Sequence, residues 1–164
     1  QGVVDVVDAL GGILINSPIA FVGQNASAER GHYTVYVPAG ENTVNGEQAL
    51  YYARLRYVGT DFARTQRQRT VFTQVMEKVK LLSVGELNDI VEEFLPEVTT
   101  NFIETEIFSM VVKSPTYFSY TREELRIPVD DSWEYMTING LSVIGTDFEQ
   151  NKKYLYENIY RYTE

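Results

Sequence analysis

Five of the chain's nine arginines, Arg54, Arg56, Arg64, Arg67 and Arg69, fall within 16 residues, with one acid, Asp61, among them. A guanidinium donates paired hydrogen bonds to phosphate oxygens through a flat, permanently charged fork. Several converging guanidiniums need a compensating anion, and a lone Asp61 cannot neutralise four of them, whereas phosphate or pyrophosphate can. Arg54 and Arg56 are two residues apart, so they point the same way only if the chain is extended there. Asp61, Arg64 and Gln68 stand at i, i+3 and i+7, which puts them on one helical face, with Arg67 nearby but turned away from Gln68. The start of such a helix adds free N–H groups and a positive dipole end. Gln68 can orient a phosphate oxygen or a hydroxyl nucleophile, and Asp61 can align the arginines or accept a proton from an attacking hydroxyl. The competing reading is a solvated helix face whose arginines pair with surface acids.

The surroundings sharpen the contrast. The chain carries a net charge of −9, so the basic window leaves about −13 on the remainder. That balance argues against nucleic acid as a partner, because basic surfaces dominate binding to DNA. With 164 residues, 44% of them apolar and 13% aromatic, the chain can bury a core and reads as a single domain over residues 1–164. No cysteine is present, which excludes a disulfide framework and thiolate metal sites. No run of apolar residues is long enough for a membrane span, and no signal peptide is visible. The chain opens at Gln1 inside a helical pattern, so we expect the natural protein to extend upstream.

The elements that must position the arginines follow from periodicity. Val3, Val4, Val6, Val7 and Leu10 predict an amphipathic helix over residues 3–10, stopped by Gly11-Gly12. Ile13 to Ile15 predicts a strand, residues 22–31 a surface loop, His32 to Val37 a second strand and Pro38 to Gly40 a turn. A helix from Gly46 to Ala53 leads into the arginines, and a long one follows from Asp61 to Leu82. Ser83 with Glu86 three residues on forms a capping-box signature for a helix with Leu87, Ile90, Val91, Phe94 and Leu95 on one face, ending near Pro96. Further on come a helix near Glu104 to Val112, a strand-like stretch from Arg122 to Val129 and a turn at Asp130-Asp131. Trp133 to Ile138 and Leu141 to Ile144 flank Asn139-Gly140, a strong hairpin signal. Thr146 or Asp147 caps a last helix reaching about Tyr160. The fold class expected is α/β, a largely antiparallel central sheet covered by helices in an α-β-α sandwich.

The stretch Asn45-Gly46-Glu47-Gln48-Ala49-Leu50-Tyr51-Tyr52-Ala53-Arg54-Leu55-Arg56, followed by Asp61, Arg64, Arg67 and Gln68, closely resembles the LytR-CpsA-Psr family of cell-envelope enzymes, with its G-x-Q-A-L helix start, R-x-R and D-x-x-R-x-x-R-Q. Asp8-Ala9-Leu10-Gly11-Gly12-Ile13 is similar to that family's V-D-x-x-G-G-V segment. The strong matches cover roughly the first 70 residues. The resemblance implies a phosphotransferase that moves a teichoic acid, capsule or similar glycopolymer from a polyprenyl-pyrophosphate carrier onto peptidoglycan, in an extracytoplasmic domain anchored to the membrane by an N-terminal helix, mainly in Gram-positive bacteria. Carried over by position, Arg54, Arg56, Arg64, Arg67 and Gln68 would hold the pyrophosphate, with the catalytic roles falling to Asp61 and Arg64. The family's Mg²⁺ ligands lie upstream of the V-D-x-x-G-G-V segment, so the resemblance covers the C-terminal part of a catalytic domain whose N-terminal part is missing, and implies no metal ligand in this chain. The carrier's lipid would need an apolar cleft, for which Phe72, Val75, Met76, Val79, Ile90 and Phe94 on the inner helix faces are candidates, although ordinary core would use the same residues.

Other features carry less. His32, the only histidine, has no partner for a zinc site or a serine triad. Asn25-Ala26-Ser27 fits a glycosylation sequon that has no meaning in a bacterial protein. Glu92-Glu93 and Asp130-Asp131 read as solvated surface, and Trp133 as a core or interface anchor. Two rivals to the transferase stay open: a non-enzymatic module that binds wall polymer through the same arginines, and a transcriptional regulator, against which stand the acidity and the lack of a helix-turn-helix.

Overall fold

The valines at positions 4 and 7 explain the first element. A computed structural model describes residues 2–24, 34–56, 59 and 61–160, and in it α1 (Gly2–Ala9) turns Val4 and Val7 into the core. Gly11 and Gly12 then take φ of 70° and 90°, a left-handed stop that closes the helix with N–H bonds to Asp8 and Val7 carbonyls. β1 (Ile13–Ser17) alternates buried and exposed residues and pairs antiparallel with β4 (Gly40–Val44), Ile13 opposite Val44 and Ser17 opposite Gly40. β2 (Phe21–Gln24) pairs antiparallel with β3 (Thr34–Val37).

α2 (Gly46–Arg54) begins with a capping box. The Asn45 side chain accepts from the Gln48 amide while the Gln48 side chain accepts from the Asn45 amide, both at 2.9 Å. Two long-range ties seat this helix. The Asp8 carboxylate accepts from the Gly46 amide at 2.8 Å, and Gln48 Nε2 donates to the Tyr36 carbonyl at 2.6 Å. Its inner face, Ala49 and Tyr52, joins Val7, Ile13, Ile15, Phe21, Val37, Val44, Leu55 and Val71 in one hydrophobic cluster. α3 (Asp61–Val79) packs on α2 and β1. α4 (Val84–Phe94) starts with the Ser83–Glu86 capping box and runs into a 3₁₀ turn at Leu95–Glu97 that carries Pro96. α5 (Glu104–Phe118) follows.

Contacts divide the chain into two compact units, Gln1–Tyr120 and Thr121–Glu164. The second holds β5 (Trp133–Ile138), β6 (Leu141–Thr146) and α6 (Phe148–Ile159). Asn139 and Gly140 adopt φ of 53° and 79°, the two left-handed residues of a tight hairpin turn. Asp147 caps α6 through the Gln150 amide. Asn151 is 4% exposed. It accepts from the Val129 amide and donates to Ser132 Oγ and the Asp147 carbonyl, which ties helix, hairpin and preceding turn together.

The fold is mixed α/β and its described strand pairings are all antiparallel, arranged as three two-stranded pairs. Several boundaries differ from expectation. Val22 to Gln24 form a strand where a loop is expected, because Gly23 leaves room for a ring: a Cβ there would sit 2.1 Å from Tyr51 Oη. Gly40–Val44 is a strand despite its polar sequence, since it pairs along its length with β1 and its one apolar residue, Val44, is buried. α3 ends at Val79, three residues early. α5 runs six residues beyond Val112 through Pro115, with Val111 and Ser114 buried on its packed face. Arg122 to Val129 forms no strand: Pro128 lacks an N–H, the Val129 amide goes to Asn151, and Arg126 pairs with Asp130. The expectations for Asn25, Ser27 and His32 fall outside the described residues.

Candidate functional site

The arginine segment begins where α2 ends. Arg54 is its last residue and is exposed; Leu55 leaves the helix at φ −57° and ψ 124° with its side chain 3% exposed; Arg56 is exposed again. The extended Leu55 is the condition under which the two arginines flanking it can serve one ligand. Gly59 takes φ 82°, and Asp61 opens α3; the Asp61 side chain lies outside the described residues, as do residues 57, 58 and 60.

On α3 the side chains divide by depth. Gln68 is exposed and Arg64 half-buried, with its Nε screened from solvent. Arg67 is 8% exposed, and its guanidinium donates to the Leu55 carbonyl. Burial pushes the Tyr52 hydroxyl above its ordinary pKa, and the Arg67 charge beside it offsets part of that rise. The structure thus presents Arg54, Arg56 and Gln68 to solvent and sets Arg64 at the boundary. Arg67 stands beneath them. Burial of this kind is not visible in the D-x-x-R-x-x-R-Q spacing alone, although the 100° between consecutive helical residues already separates Arg67 from Gln68.

The apolar candidates differ in depth. Phe72 is 62% exposed, so it lies on an outward face of α3 rather than an inner one. Val75 packs against the core cluster, and Met76, Val79, Ile90 and Phe94 are half-buried. A groove of about 490 Å³ lies between α4 and α5, with Val91, Leu95, Ile107 and Phe108 among its walls and Glu92 and Glu104 at its polar margin. In the second unit, half-buried Trp133 meets Tyr135 edge-on at 5.3 Å between centroids and lines a cleft of about 440 Å³ with Asp131, Glu134 and Asp147.

Among the described residues no three His, Asp or Glu side chains converge as a metal site. No helix among the described residues is long and apolar enough to cross a membrane.

Known proteins resemble this chain in sequence and in fold. Biofilm regulatory protein A of Streptococcus mutans is 36% identical over 104 residues, covering 62% of this chain and 25% of that protein. A polyisoprenyl-teichoic acid–peptidoglycan teichoic acid transferase, TagU of Bacillus mycoides, is 30% identical over 133 residues, covering 79% and 40%. The crystal structure of TagV from B. subtilis superposes with a TM-score of 0.70 at 28% identity, over 95% of this chain and 59% of that one. The chain therefore spans two fifths or less of the length of these two curated relatives. The profile of the LytR_cpsA_psr family matches residues 1–158, and the chain belongs to that family.

Proposed function

We propose that the chain is part of an extracytoplasmic phosphotransferase that moves an anionic glycopolymer, such as a teichoic acid, from a polyprenyl-pyrophosphate carrier to a sugar hydroxyl of peptidoglycan. The observation that carries this reading is the exposed pair Arg54 and Arg56 on either side of the extended, buried Leu55, a segment tied by Arg67 to α3, whose first turns carry Arg64 and Gln68. Membership of a family whose relatives include a named teichoic acid transferase supports it.

In this reading Arg54, Arg56 and Arg64 bind the pyrophosphate oxygens, and Gln68 orients one of them or the acceptor hydroxyl. The acceptor oxygen attacks the phosphorus that carries the glycopolymer. A new P–O bond forms, the bond to the bridging oxygen breaks, and polyprenyl phosphate leaves with that oxygen. Asp61 takes the hydroxyl proton. Fixed guanidiniums stabilise the charge that spreads over the phosphoryl oxygens, which is the main task in this type of transfer.

The test is calorimetric titration with a soluble short-chain polyprenyl pyrophosphate. Arg56→Ala is expected to weaken binding by about 1.5–3 kcal/mol, the range for a hydrogen bond to a charged group. Asp61→Asn should abolish transfer while leaving binding in place. Unchanged binding in Arg56→Ala would sink the reading, transfer that survives Asp61→Asn would remove Asp61 from the proton step, and a wild type that binds without any transfer would leave a polymer-binding module.

A further inference from the structure

We infer that Arg67 is a positioning residue, which holds the Arg54-Leu55-Arg56 segment in place from beneath and is not itself a phosphate ligand. The inference rests on the phosphate reading of that segment. Three observations carry it. Arg67 is 8% exposed, whereas Arg54, Arg56 and Gln68 are open to solvent. Its guanidinium donates to the carbonyl of Leu55, twelve residues away and on the far side of the α2–α3 connection. Leu55 is the C-cap of α2 and is itself buried.

The chemistry of a helix end explains why an arginine stands there. The last carbonyls of α2 lack amide partners within the helix, and the negative end of its dipole gathers at the same place. A cation with N–H donors answers both needs, and a guanidinium cannot lose its charge when buried. By binding the Leu55 carbonyl, Arg67 fixes the point at which the backbone leaves α2, and so the directions in which Arg54 and Arg56 emerge. Three residues separate Arg64 from Arg67 on α3, about 60° around the helix. That offset lets one arginine sit at the boundary while the other faces inward. The motif's two α3 arginines thus divide the work between ligand and scaffold.

The experiment combines hydrogen exchange with a double-mutant cycle, using inorganic pyrophosphate as the probe. In ligand-free Arg67→Lys, amide exchange across residues 54–56 should accelerate while α4 and α5 keep their protection. Pyrophosphate binding should weaken on the order of tenfold, the effect of removing a single charge-assisted hydrogen bond. Adding Arg56→Ala to Arg67→Lys should then cost less than it does in the wild-type background, because Arg67 acts through the segment that carries Arg56. Adding Arg64→Ala should cost its full effect in either background. Arg67→Gln, with a circular dichroism spectrum as the fold control, repeats the cycle without the charge. Wild-type binding with unchanged exchange at 54–56 overturns the positioning role. Weakened binding with additive effects in the Arg56→Ala background overturns it too, and makes Arg67 a direct ligand. A wild-type protein that binds no pyrophosphate overturns the phosphate reading first, and the inference with it.

Discussion

Gly46 is the first residue of α2, yet its importance lies in α1. A Cβ built there would stand 2.2 Å from the Val4 carbonyl oxygen, 2.6 Å from Val4 Cα and 2.7 Å from its carbonyl carbon. All three atoms belong to backbone, so no side chain can swing aside. Ordinary contact begins at about 3.4 Å, and Gly46→Ala must therefore push α1 away by about 1 Å. Overpacking of this kind costs about 1–3 kcal/mol. The same shift stretches the 2.8 Å bond from the Gly46 amide to Asp8 and begins to unseat Val4 and Val7, which are 2% and 0% exposed. Full exposure of each valine would cost about 1.5–3 kcal/mol, which bounds the loss from above. Alanine's helix propensity works in the opposite direction by about 1 kcal/mol at most. The net expectation is a destabilisation of about 2–4 kcal/mol. Urea unfolding followed by far-ultraviolet circular dichroism measures it. Gly85→Ala is the control, since Gly85 lies in the first turn of α4 and its nearest neighbour would be Ser83 Oγ at 3.9 Å. That variant should match the wild type or gain up to about 1 kcal/mol. A Gly46→Ala midpoint at or above that of the wild type would refute the packing argument.

Two further perturbations test other parts of the fold. Asn151→Ala strips the Val129 amide and Ser132 Oγ of a buried partner and should cost about 2–4 kcal/mol; the fluorescence of Trp133, the neighbour of Ser132, reports it, and an unchanged midpoint would contradict the network. Glu86 accepts from the Ser83 amide at 2.8 Å and the Ser83 hydroxyl at 2.7 Å, and the backbone bond first, then the hydroxyl, hold its carboxyl below the ordinary glutamate pKa. Because the folded value is the lower one, the contribution is present above the ordinary glutamate range and is lost as pH falls through the lowered value. Glu86→Gln does not titrate, so the stability difference between wild type and variant should shrink as acid is added, and curves that stay parallel would show that the capping bond is not linked to protonation.

What could be read in advance was local. Asn139-Gly140, the Ser83–Glu86 box and the Gly11-Gly12 stop each consist of neighbours in sequence whose geometry follows from their own chemistry. The differences arise where a distant partner decides. Gly23 looks like a loop residue until the Tyr51 ring is placed over it. The polar run Gly40–Val44 becomes a strand only because β1 offers it an edge, and Arg122–Val129 fails to become one because its free amide at Val129 is taken by Asn151. The candidate site divides along the same line. The helical spacing of Asp61, Arg64 and Gln68 was legible, as was the need for an extended residue between Arg54 and Arg56. That Arg67 turns inward to the Leu55 carbonyl was not, because the bond joins the end of one helix to the interior of the next. A motif of charged residues at fixed spacing therefore fixes which side chains share a face, while the depth of each is set by the neighbouring element. Here that element is the C-terminus of α2, whose unsatisfied carbonyl turns one arginine of the cluster from a surface cation into a part of the scaffold that presents the others.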